Sequence, residues 1–125
     1  MAILIPEITN AESIPKIEIL TIEKKIKESD EYSKKLCNAW DLNKENIKDF
    51  FLTAEPFITG AEMSYFDIYP CETKGYLLIN DVKRKYSINL GGSGFIYGFG
   101  KEQEGFGCRK GKCLEYVHYE EYEED

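Results

Sequence analysis

The residues best suited to chemistry in this chain are its four cysteines and its one histidine. Cys108-x4-Cys113 stands near the spacing of a metal-binding pair, and a zinc site would need two further thiolate or imidazole ligands. Cys37 and Cys71 are the only cysteines left to supply them. They come singly from distant segments, with no Cys-x2-Cys knuckle, so buried thiols or a disulfide are the expected state and three full pairings stand open. His118 is the sole imidazole, and it sits in an acidic C-terminal stretch. A nucleophilic Cys or Ser needs a base held in place by a third group, which that setting does not offer. Glu62 and Asp67 are close enough in sequence for paired acid–base work, yet among 23 acidic residues such pairs arise by chance. The glycine-rich stretch 91–100 has neither G-x-G-x-x-G nor Gly-Lys-Ser/Thr and reads as a structural hairpin. No catalytic group, metal or cofactor is therefore expected.

Charge carries more information. The formal net charge is −7, and no Lys or Arg follows Lys112. After it come Glu115, Glu120, Glu121, Glu123, Glu124 and Asp125, with Tyr116, Tyr119 and Tyr122 spaced every third position. The rest of the chain is nearly neutral. Such a segment either solubilises or docks on a basic partner, with carboxylates steering the encounter and tyrosines adding contact area at low entropic cost. The expected contact residues are Glu115, Tyr116, Tyr119, Glu120, Glu121, Tyr122 and Glu123, with Glu62, Asp67 and Glu72 as the next acidic candidates. An acidic chain is a poor direct ligand for nucleic acid or an anionic membrane, since binding those means neutralising phosphates. No apolar run approaches the ~20 residues of a membrane-spanning helix, and the start Met1–Pro6 has no basic region of a signal peptide. The expectation is a cytoplasmic protein with reduced thiols, monomeric on its own.

The elements that must position these residues fit one domain across residues 1–125, with an extended arm (1–15) and an acidic tail (115–125). Alternation from Lys16 to Ile22 predicts a strand, and 23–35 is charged and reads as a strand extension or a short exposed helix. Residues 43–55 form a helix: Asn43 caps it, Pro56 stops it, and Ile47, Phe50, Phe51 and Ala54 make one apolar stripe. Trp40, beside turn-forming Asn and Asp, is expected to anchor a packed corner. Residues 73–108 read as a β-meander, with Asn80-Asp81 as a tight turn. Gly94, Gly98 and Gly100 share a face that either seats the Phe50/Phe51 side of the helix or marks a bend. The fold class is α+β: one amphipathic helix packed on an antiparallel meander of four to six strands.

Short signatures between residues 32 and 108 resemble a group of small bacterial proteins of uncharacterised function. They are Asn38-Ala39-Trp40-Asp41-Leu42, the helix bearing Phe50-Phe51, Pro70-Cys71, Ile88-Asn89-Leu90-Gly91-Gly92 and Gly107-Cys108. Secreted or lipid-anchored members imply a Cys71–Cys108 bridge, and the ends of the meander bring those two residues together in this reading. By type, the small acidic chain also resembles the immunity proteins of contact-dependent inhibition systems, which bind and block basic toxin nucleases. That resemblance implies an immunity protein occluding a basic toxin domain. The alternative it leaves is a secreted or periplasmic accessory protein with a Cys71–Cys108 disulfide, and a small hydrolase is the weakest reading.

Overall fold

The computed structural model describes residues 14–98 and 103–120. The arm up to Ser13, the expectations on Phe99, Gly100 and the 101–102 turn, and the candidate residues Glu121, Tyr122 and Glu123 lie outside them. Along the chain run β1 (Ile17–Ile19), β2 (Glu23–Ile26), α1 (Glu31–Ala39), α2 (Lys44–Thr53), β3 (Glu55–Pro56), a 3-10 turn (Ala61–Tyr65), β4 (Cys71–Ile79), β5 (Val82–Asn89), β6 (Ser93–Tyr97), β7 (Gln103–Gly107) and a second 3-10 turn (Lys112–Glu115). Among the described residues these strands form one seven-stranded antiparallel sheet in the order β1-β4-β5-β6-β7-β3, with β2 also paired to β4. The α+β class and the meander β4 to β7 are as expected. The helix count is two instead of one, and the strands exceed four to six.

β1 and β2 share one edge of β4: Ile17–Ile19 lies opposite Leu77–Ile79, and Glu23–Ile26 opposite Cys71–Lys74. The backbone of Thr21 crosses between them directly over Gly75, where any Cβ would collide with its carbonyl. That crossing is fixed by Tyr86, whose hydroxyl donates to the Thr21 carbonyl at 2.8 Å, and by the Tyr76 N–H, which donates to Thr21 Oγ1 at 2.9 Å. Burial of Tyr86 pushes its phenol up to about 12, so it stays protonated as the donor this contact needs.

α1 begins where Asp30 accepts from the Ser33 N–H at 2.7 Å. Its only fully buried residue is Cys37, and that thin apolar stripe is why the charged stretch 23–35 left strand and helix both open; the chain forms a strand first and a helix after it. The other end is capped from β2. Lys24 Nζ donates to the carbonyls of Cys37 (3.0 Å), Asn38 (3.4 Å) and Trp40 (2.6 Å) and meets Asp41 Oδ1 at 3.2 Å. A cation there satisfies the orphan carbonyls and complements the helix dipole.

α2 follows its sequence signals closely. Asn43 and Asn46 form a reciprocal capping box. Ile47, Phe50, Phe51 and Ala54 are buried. The Phe50 ring lies over Gly94, where an added Cβ would fall 2.7 Å from its Cε2. Phe51 meets Tyr86 and Phe106 edge-on at 6.0 and 5.4 Å. Gly94 is thus a seat for the helix, as one of the two sequence readings had it. On the opposite face Phe57 and Phe66 pack over Gly105 and Gly107.

All four cysteines are paired, as Cys37–Cys71 and Cys108–Cys113, with Cα separations of 6.0 and 5.9 Å. The Cys71–Cys108 bridge is corrected here, since Cys71 lies against Cys37 and Cys108 against Cys113. α1 lays Cys37 beside the start of β4, so it takes the partner that the meander alone would have assigned elsewhere. After β7 the chain reverses at Gly111, whose φ of +86° lies in the left-handed region, and returns Cys113 to Cys108.

Candidate interaction surface

The acidic C-terminal segment does not leave the body where its charge begins. Cys113 is fully buried within the Lys112–Glu115 turn. Tyr116 is only 9% exposed. The indole N–H of Trp40 donates to the Tyr116 carbonyl at 2.7 Å, and the Tyr116 hydroxyl donates to Asp49 Oδ2 on α2 at 2.9 Å. Lys112 Nζ reaches the same oxygen at 3.2 Å. Two residues on, the His118 N–H donates to the Leu90 carbonyl at 2.7 Å.

These contacts tune one another. The Tyr116 hydroxyl, then Lys112, hold the Asp49 carboxyl below the usual carboxylate range. Burial, then Asp49, pushes the Tyr116 phenol up, while Asp49 raises Lys112. Each shift favours an ionised Asp49 beside a protonated Tyr116 and Lys112, the states in which these contacts hold.

Aromatic contacts carry the chain further. The His118 ring meets Tyr69 edge-on at 5.7 Å, and the Tyr119 ring meets Phe66 at 5.3 Å. His118 Nε2 lies 3.3 Å from Glu120 Oε2. Phe66 and Tyr69 therefore flank residues 118 and 119. Glu72 follows Tyr69 by three residues on β4, half-buried opposite Lys25.

The candidate residues thus divide. Glu115 and Glu120 are exposed, and Asp67 is half-buried with its carbonyl over Gly91. Tyr116 is an internal anchor, so its expected role as a partner contact is corrected: a hydroxyl bonded to Asp49 and a carbonyl bonded to Trp40 leave it inward. Tyr119 is half-buried against Phe66. Glu62 is committed elsewhere. Its carboxylate accepts from the N–H groups of Ile58 (2.8 Å), Thr59 (3.3 Å) and Gly60 (2.9 Å) and closes the 58–62 loop. Those donors, Ile58 first, lower its pKa to about 2. The anchoring partners Asp49, Lys112 and Leu90 carry no sequence signal, whereas Trp40 is the packed corner that the sequence suggested.

Among the described residues no three His, Cys, Asp or Glu side chains are placed to hold a metal, and no helix is long and apolar enough to cross a membrane. No protein-family model, curated protein or solved structure matches this chain.

Proposed function

We propose that this chain is a non-enzymatic binding protein of the immunity type, which holds a basic protein toxin domain, a nuclease, and occludes the surface that would take nucleic acid. The supporting observation is the mounting of the acids. Glu115 and Glu120 bracket a segment tied to Trp40, Asp49 and Leu90, so their negative charge is presented from a segment fixed to the body. Carboxylates so placed speed encounter with a basic surface, and a stable inhibitor would bury ~1,200–2,000 Å² in all. The reading carries with it a cytoplasmic monomer that binds neither nucleic acid nor membrane directly.

The test is calorimetry and stopped-flow binding against the toxin domain encoded beside this chain in its native genome. The chain is compared whole and cut after Tyr119, which spares the anchor. Truncation is expected to cost several kcal/mol, each ~1.4 kcal/mol being tenfold in affinity. The association rate of the whole chain is expected to fall steeply as ionic strength rises to ~0.15 M, where the Debye length is ~8 Å. Full-strength binding by the truncated chain sinks the proposal.

The paired cysteines favour a second reading, an exported accessory protein, since disulfides persist in oxidising compartments. Its bridges would be Cys37–Cys71 and Cys108–Cys113. Mass spectrometry of protein alkylated directly in its host separates the two: quantitative oxidation supports export, and four alkylated thiols support the cytoplasm.

A further inference from the structure

We propose that the Cys108–Cys113 disulfide is a redox latch: closed, it pins the acidic segment to the body, and opened by a dithiol reductant it releases that segment while the sheet and α2 stay folded. The argument begins with what holds residues 108–120. The Cys108 N–H donates to the Gly92 carbonyl at 2.9 Å, which ties the end of β7 to the sheet. Arg109, Lys110, Gly111 and Lys112 are then all exposed, and nothing lies within 4 Å of the Cβ position of Gly111. The next backbone tether to another part of the body is the carbonyl of Tyr116 on Trp40, followed by the His118 N–H on Leu90. Between those points the disulfide is the covalent closure that keeps the turn over α2. Without it the segment keeps the Tyr116–Trp40 and His118–Leu90 hydrogen bonds, the Lys112–Asp49–Tyr116 cluster and the ring contacts of Arg109, His118 and Tyr119, but the turn between residues 108 and 113 loses its covalent closure.

The other disulfide is placed differently. Cys37–Cys71 joins α1 to β4, elements that are also held by the β2–β4 pairing and by the four Lys24 contacts. Its loss leaves the C-terminal segment's own tethers in place.

The chemistry balances as ordinary thiol–disulfide exchange. A reductant thiolate attacks one sulfur of Cys108–Cys113, the mixed disulfide is resolved by the reductant's second thiol, and the reductant leaves as a cyclic disulfide. Two electrons and two protons pass to the chain, which gains two thiols. Both sulfurs are buried, so attack proceeds through local opening of the exposed 109–112 turn. Arg109, Lys110 and Lys112 are sequence neighbours of the two cysteines, and once the turn opens their positive charge favours the departing thiolate. Release would free the chain from residue 109, so the twelve residues to Glu120 alone reach ~40 Å when extended.

The test uses the full chain and amide hydrogen exchange at His118 and Tyr116, with the emission of the sole tryptophan, Trp40, as a second readout. In Cys108→Ser/Cys113→Ser, and in wild type opened by dithiothreitol, the His118 amide is expected to exchange at least tenfold faster and Trp40 emission to move red. Amides of β4 and β5 are expected to keep their protection. Cys37→Ser/Cys71→Ser is expected to leave the His118 amide protected. Unchanged His118 protection in Cys108→Ser/Cys113→Ser overturns the latch, and so does equal loss of protection across the whole sheet. None of these readouts involves a partner, so the latch and the proposed function fail separately.

Discussion

α2 and the segment from Lys112 to His118 are both held against the body, the first by rings and the second by a disulfide, one ring contact and several directed hydrogen bonds. Under α2, Phe50 fills the space left by Gly94 and Phe51 meets Tyr86 and Phe106 edge-on. Such contacts are non-directional, and their strength scales with the apolar area removed from water. The C-terminal segment presents Tyr116, which spends its carbonyl on Trp40 and its hydroxyl on Asp49. Contacts of that kind contribute only ~0.5–1.5 kcal/mol each in net terms, yet leaving a buried partner unpaired costs more. The contrast teaches that a strong seat and a specific seat are different things. α2 fixes stability, and the C-terminal segment fixes where the acids emerge.

Breaking the apolar seat should have the largest effect. Phe51→Ala is expected to cost ~3–5 kcal/mol, read as a large drop in the thermal midpoint or as failure to fold. A near-wild-type melt would move α2 out of the core and make its stripe a binding surface. Gly94→Ala probes the same seat from below and is expected to cost ~1–3 kcal/mol by overpacking, since its methyl must displace the Phe50 ring. If Gly94→Ala melts like wild type, the glycine marks a bend and not a close approach.

The polar seat should yield less and elsewhere. Tyr116→Phe keeps the ring and loses only the hydroxyl on Asp49, so it is expected to cost ~1 kcal/mol with faster amide exchange at His118. A loss as large as that of Phe51→Ala would erase the distinction between the two seats. The smallest effect is the acid response. Asp49 and Glu62 both have folded-state pKa values below the ordinary 3.8 and 4.5, Glu62 at about 2. The stability each contributes is therefore complete above its ordinary pKa and lost as pH falls through the depressed one. Acid titration between about pH 4.5 and 2 should loosen the wild type, and Glu62→Gln should flatten part of that slope. An identical slope in wild type and Glu62→Gln would remove the carboxylate as a closer of the 58–62 loop.

The same contrast explains what could be read in the sequence. The apolar period of Ile47, Phe50 and Phe51, the Asn43 cap and the Asn80-Asp81 turn, whose φ values are +51° and +70°, are local signals, and each appears in place. Gly94 as a helix seat was half-legible, because glycines on one strand face have few explanations. α1 was left open as one of two readings of residues 23–35, since only Cys37 points fully inward, and with α1 undecided the partner of Cys71 was undecided too. At the surface, Tyr116 looked in sequence like its acidic, exposed neighbours Glu115 and Glu120. Its burial depends on Trp40 and Asp49, 76 and 67 residues away, and no pattern along the chain encodes that meeting.

The Cys37–Cys71 bridge has a consequence for how the protein meets proteases. The loop at Ile58, Thr59 and Gly60 is exposed, Ile58 to 87%, and exposed loop tips are preferred nicking sites. That loop lies between the two bridged cysteines in sequence. A single cut there would leave two fragments joined by sulfur, with α2 on one and the meander on the other. The nick would be silent on a non-reducing gel and would separate the pieces only under denaturing, reducing conditions.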